Sequence, residues 1–154
     1  MLVDGHDGSV NSWASSDAVR RSMMSNRRKD TRPELALRRE VHRLGLRYFV
    51  DRAPLSKMRR RRADLVFPRL KVAVYLDGCF WHGCPEHHSV SKTNAEFWAT
   101  KVANNRARDE DTNRRLEEAG WTVIRVWEHE DPAVAAAEIK AVVEKAKRYR
   151  PKNR

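Results

Sequence analysis

Along DTRPELALRREVHRLGLRY, residues 30–48, apolar side chains return every three or four positions, with Leu37, Val41 and Leu44 on one face. That spacing predicts an α-helix. Asp30 or Thr31 can cap it, Pro33 suits its first turn, and Gly45 is a natural stop. The pattern then shortens. ADLVF (63–67) and KVAVYLD (71–77) are β-branched runs separated by Pro-Arg-Leu, which predicts two strands in a tight hairpin. A second helical pattern runs from about Asn94 to Ala119, with Phe97, Trp98, Val102 and Leu116 as apolar positions and Gly120 at its end. WTVIRVW (121–127) predicts a third strand, and the alanine-rich stretch from Pro132 to Arg148 a last helix. The order α-β-β-α-β-α predicts an α/β fold, a three-layer sandwich around a small mixed sheet. Residues 1–19 are polar and Gly/Ser-rich, a tail expected to be disordered, which leaves residues 20–150 as a single domain. At its front, RRSMMSNRRKDTR (20–32) is a basic arm with Met23 and Met24 embedded.

Charge narrows the partners. A net charge of +11 on 154 residues, 34% of them charged, favours polyanions, nucleic acid first and acidic membrane second. No run approaches the roughly 18 apolar residues of a membrane span, and MLVDGHDGSVNSWASSDAV has no signal-peptide pattern. Two cysteines five positions apart do not make the disulfide framework of a secreted mini-protein. An intracellular protein is expected.

The chemistry concentrates in DGCFWHGCPEHH (77–88), which holds both cysteines, three of the six histidines, Phe80 and Trp81. Zinc takes four nitrogen or sulfur ligands tetrahedrally, often two close in sequence and the others from elsewhere. Cys79 and Cys84 are the close pair, His87 follows, and the fourth is His88 or, past the third strand, His129. Parallel strand ends would bring positions 79 and 129 together, which favours His129. Phe80, Trp81 and Trp98 are either core or an apolar wedge for a base stack. Asp64 and Asp77 sit at neighbouring strand ends, where carboxylates hold Mg²⁺ on a scissile phosphate. The competing reading pairs Asp64 with Arg62 and has Asp77 cap a turn. His82 is a candidate base that Asp109, in NNRARDED, could orient. KMRRRR (57–62), with Arg60 and Arg61, would attract a phosphate backbone.

Four stretches carry a family resemblance: MMSNRRKDTRPELALRREVHRLGLRY, RRRADLVFPRLKVAVYLDGCFWHGCPEH, TNAEFWATKVANNRARD and GWTVIRVWEHE. From about residue 20 to 131 the chain resembles the very short patch repair (Vsr) endonucleases. The resemblance implies the core of type II restriction endonucleases with a structural zinc site. It also implies Mg²⁺-dependent nicking of DNA 5′ to the thymine of a T:G mismatch, the product of 5-methylcytosine deamination. The metal-binding aspartate of the family falls on Asp64, and a main-chain carbonyl ligand on Leu76. The water-activating histidine falls on His82, its partner on Asp109, and an acidic residue near the site on Glu34. The wedge falls on Phe80, Trp81 and Trp98, the arm methionine on Met23 or Met24, and the zinc ligands on Cys79, Cys84, His87 and His129.

Two departures stand out. Asp77 replaces a histidine near the metals and is an additional candidate Mg²⁺ ligand. His129 replaces a cysteine, and the spacing after Cys84 differs, so His87 against His88 stays open. The implied partners are double-stranded DNA with a T:G mismatch and mismatch-repair proteins, for a monomer in the bacterial cytoplasm. Other classes remain: a restriction-type endonuclease that cuts both strands of a matched site, and a zinc-containing DNA-binding module without catalysis.

Overall fold

The computed structural model describes residues 30–78 and 95–150. Residues 1–29, 79–94 and 151–154 lie outside the described residues, and with them Met23, Met24 and most of the cysteine-histidine cluster. The elements in chain order are α1 (Arg32–Arg43), β1 (Phe49–Arg52), β2 (Ala63–Phe67), β3 (Val72–Asp77), α2 (Ala95–Glu118), β4 (Thr122–Trp127) and α3 (Pro132–Tyr149).

Thr31 caps α1: its Oγ1 accepts the Glu34 N–H at 3.4 Å. Reciprocally, Glu34 Oε2 accepts the Asp30 N–H at 2.8 Å, so two otherwise orphaned donors at the helix start are satisfied. The helix stops where expected. Gly45 adopts φ +86°, its N–H reaches the His42 carbonyl, and Leu46 N–H reaches back to Val41.

The sheet is mixed and open, in the order β1-β2-β3-β4. β1 and β3 both run antiparallel to β2, whereas β4 runs parallel to β3. The hairpin between β2 and β3 turns through a short 3₁₀ segment, Pro68–Leu70, with Lys71 left-handed at φ +53°. The return to a parallel strand needs a crossover, and α2 lies within it. β1 is an addition to the expected order. FVDR is a short, half-polar edge strand with Asp51 at φ +48°, so alternation gives it no signal.

The two faces of the sheet are covered separately. Leu65, Val72, Val74 and Val126 pack with Leu37 and Val41 of α1 and with Ile139 and Val143 of α3. On the other face Val66, Ala73 and Tyr75 pack with Leu116 of α2. Helices on both faces of a small mixed sheet match the expected sandwich. Asp131 caps α3 by accepting the Ala133 N–H at 2.8 Å. Among the described residues, no helix is long and apolar enough to cross a membrane.

Candidate active site

Topology brings the start of β2 and the ends of β3 and β4 to one end of the sheet. The β2–β3 ladder covers Leu65–Val74 to Phe67–Val72. Beyond it, the Asp64 side chain takes the place of a ladder partner: its Oδ2 accepts the Leu76 N–H at 2.6 Å. Burial pushes the Asp64 carboxyl up to about 6. The Leu76 hydrogen bond and Arg38 oppose this, while the charges of Glu34 and Asp77 add to it. Three acids from three elements therefore share one electrostatic neighbourhood.

Glu34 is buried at 9% exposure. Arg38, one turn along α1, donates to Glu34 Oε2 at 3.2 Å and to Asp30 Oδ1 at 2.6 Å. Its Nε is buried without an acceptor. Sequence reading passed over Arg38, although its i,i+4 spacing from Glu34 was a signal.

Asp77 is 7% exposed, and Arg125 Nη1 donates to its Oδ1 at 3.0 Å. The same nitrogen lies 3.3 Å from Asp109 Oδ1, and Arg125 also donates to Asn113 Oδ1 through Nε and Nη2. Its guanidinium stacks over Tyr75, 4.3 Å from the ring centre. Burial pushes the Tyr75 hydroxyl up to about 12, so this ring stays neutral. The competing reading of Asp64 gives way, since Arg62 turns to β1 and pairs with Asp51 at 3.1 Å. Asp77 is held by an ion pair with Arg125. Arg125 and Asn113 were missed. The signal was an arginine inside the apolar run of β4, which has to find partners.

Asp109 lies on the inward stripe of α2, between the buried Val102 and Thr112. Its expected partner His82 lies outside the described residues, as do Phe80 and Trp81. Trp98, read from the sequence as either core or wedge, is among the described residues. It is 5% exposed, while its neighbour Phe97, edge-to-face at 5.2 Å, is 41% exposed.

Of the expected zinc ligands only His129 is placed, two residues beyond Trp127, which is in register with Asp77. The ring is exposed and stacks on Trp127 at 6.4 Å. Cys79, Cys84, His87 and His88 lie outside the described residues. Among the described residues, no three histidine, cysteine, aspartate or glutamate side chains gather as a metal cage.

Between the arginine turn and the last turns of α2, a groove of about 430 Å³ is lined by Lys57, Arg59, Arg60, Arg61 and Arg115 with Ser56 and Met58. Its arginines divide. Arg60 is exposed, whereas Arg61 donates to Asp111, to Thr112 Oγ1 at 3.0 Å and to the Arg108 carbonyl at 3.4 Å. Arg61, with Arg115 and Arg114, holds the Asp111 carboxyl down at about 2. Arg61 is thus a staple between the arginine turn and α2.

Acids at strand ends and a groove lined by cations fit a protein that handles a polyanion. The chain belongs to the DNA mismatch endonuclease Vsr family, which it matches over residues 15–92. It is 47% identical over 119 residues to the type II nicking enzyme V.NaeI of Lentzea aerocolonigenes, covering 75% of this chain and 72% of that one. It is 38% identical to the type II nicking enzyme V.NmeDIP of Neisseria meningitidis serogroup C, over 72% of this chain and 74% of that one. The DNA mismatch endonuclease Vsr of Escherichia coli is 32% identical over 131 residues, 82% of this chain and 74% of its own.

Proposed function

We propose that this chain nicks one strand of double-stranded DNA 5′ to the thymine of a T:G mismatch, by Mg²⁺-dependent hydrolysis, and so starts very short patch repair in the bacterial cytoplasm. As a member of an endonuclease family it is a DNA-cleaving hydrolase. The finer reading rests on the family and on relatives named nicking enzymes and a mismatch endonuclease. A small mixed sheet with helices on both faces is consistent with the core expected of type II restriction endonucleases.

The observation that carries the site is Asp64. Its carboxylate is oriented by the Leu76 N–H and crowded by Glu34 and Asp77. A buried carboxylate that feels the charges of two further acids suits a hard divalent cation with oxygen ligands. Asp64 and the Leu76 main-chain carbonyl would hold Mg²⁺; bound there, the ion neutralises charge on the scissile phosphate and acidifies a water. Asp77, one oxygen of which meets Arg125, would add a second carboxylate beside the ion. His82 takes the proton of the attacking water, and Asp109 fixes its tautomer and orientation.

Cys79, Cys84, His87 and His129 hold a structural zinc. The parallel register that sets Trp127 beside Asp77 supports His129 over His88. A zinc-stiffened loop holds Phe80 and Trp81 against the base stack, and buried Trp98 backs them. Met23 or Met24 approaches from the opposite groove. A T:G wobble unstacks more cheaply than a matched pair, so a protein that distorts DNA favours the mismatch.

Nicking assays on matched, T:G-mismatched and single-stranded DNA, with Mg²⁺ and with EDTA, test the reading. Cleavage of one strand of the T:G duplex, lost in EDTA, is expected. Cleavage of both strands of matched DNA would instead give a restriction-type endonuclease, and binding without cleavage a DNA-binding module.

A further inference from the structure

Arg125 stands where β4 presents side chains to α2, in line with Val123. An arginine has five N–H donors in a rigid planar fork, and here five contacts meet them. Nη1 reaches Asp77 Oδ1 at 3.0 Å and Asp109 Oδ1 at 3.3 Å. Nη2 reaches the Asp109 carbonyl at 3.4 Å and Asn113 Oδ1 at 2.9 Å, and Nε reaches Asn113 Oδ1 at 3.0 Å. The face of the fork lies on Tyr75. Little of this is open to water: the side chains of Arg125, Asp77 and Asp109 are 21%, 10% and 23% exposed.

We propose that Arg125 is a positioning residue for hydrolysis: it fixes the Asp109 carboxylate, and the middle of α2 with it, against the ends of β3 and β4. A lone counter-ion would need one contact, and a lysine could supply it. The fork touches both the side chain and the main chain of Asp109, so it fixes where the helix sits as well as how the carboxylate points. The apolar anchors of α2 lie toward its ends, at Trp98 and Val102 and again at Leu116, and the polar stretch between them includes Asp109 and Asn113. Arg125 ties that stretch to the sheet. It matters for rate because a shift of about 1 Å in a catalytic group costs on the order of a hundredfold.

This inference rests on the reading of Asp109 as partner of the base, and the test separates the two. On T:G duplex with Mg²⁺, Arg125→Gln should lose roughly ten- to a hundredfold in kcat, with KM little changed. Arg125→Lys should recover part of that loss. Asp109→Asn should also be slow, and the double variant Arg125→Gln/Asp109→Asn no slower than Asp109→Asn alone. Additive losses, or full kcat in Arg125→Gln beside a slow Asp109→Asn, overturn the proposal. Full kcat in Asp109→Asn removes the reading of Asp109, and with it any route for Arg125 to act through that residue. Should Arg125→Gln fail to fold, Asn113→Ala removes two of the five contacts without changing charge. A lowered kcat at near-native melting temperature then supports the proposal, and an unchanged kcat sinks it.

Discussion

Asp64 on β2 accepts the main-chain N–H of Leu76 on β3 at 2.6 Å, just past the end of the ladder that joins the two strands. A side chain that replaces a backbone partner is held in one orientation. Its free oxygen lies among the charges of Glu34, Asp77 and Arg38.

Removing that carboxylate should end catalysis while sparing recognition. Asp64→Ala is expected to show no Mg²⁺-dependent nicking of T:G DNA, with a Kd by mobility shift within a few-fold of wild type. Substantial remaining nicking would reassign the metal site.

The Asp64 carboxyl titrates near 6 in the folded chain against 3.8 ordinarily. A raised carboxyl favours the folded state fully below 3.8, and that contribution is lost as pH rises through about 6. In EDTA, Asp64→Asn should therefore melt above wild type at pH 7.5, by up to roughly 3 kcal/mol at about 1.4 kcal/mol per pH unit. The gap should close toward pH 4. Mg²⁺ should raise the melting temperature of wild type and leave the variant unmoved. A gap independent of pH would contradict the buried, anion-crowded carboxylate.

The two neighbouring arginines should behave differently. Arg60→Ala is expected to weaken matched and mismatched DNA alike and to reduce the slope of log K against log salt by about 0.9, one phosphate contact. Arg61→Ala should instead lower the melting temperature by loosening the turn from Asp111 and Thr112. Equal stability of the two variants would argue against the staple.

Among the aromatics, exposure divides the effects. Trp98→Ala should cost about 3–5 kcal/mol of stability as a buried large-to-small change, measured by denaturant melts, while Phe97→Ala costs little. Trp81→Ala should leave stability near wild type but lose about tenfold or more in T:G over matched DNA, given roughly 1–3 kcal/mol per stacked base. Unchanged discrimination would return Trp81 to the core.

Protein purified without added metal should carry about one zinc per chain, the expectation for one tetrahedral site. Cys79→Ser or Cys84→Ser should lower zinc content and melting temperature together. His129→Ala against His88→Ala then decides the fourth ligand. Stable, active, zinc-free protein would dismiss the site.

The helices and three of the strands were legible because their patterns are local: a 3.6-residue period with Thr31, Gly45 and Gly120 at the ends, and β-branched runs at 63–67 and 72–77. β1 was not, because pairing with β2 creates it, not its own FVDR sequence. Asp64 and Asp77 were legible as acids at strand ends. Their partners were not, since Leu76 offers a backbone group and Arg125 lies 48 residues from Asp77. The staple role of Arg61 was hidden the same way: within RRRR nothing local tells the arginine that meets Asp111, 50 residues on, from the ones beside it.

The parallel pairing of β3 with β4 also bears on how the chain folds. β1, β2 and β3 form a meander of near neighbours, but β4 can join only after residues 78–121 have been brought round. Closing so long a segment carries an entropic cost before any contact repays it, so this pairing is expected to form after the meander. Arg125 arrives with that last strand, and until it docks Asp109 lacks the contacts that Arg125 makes to its side chain and main chain. A nascent or partly unfolded chain therefore carries the acids of the site without their final arrangement.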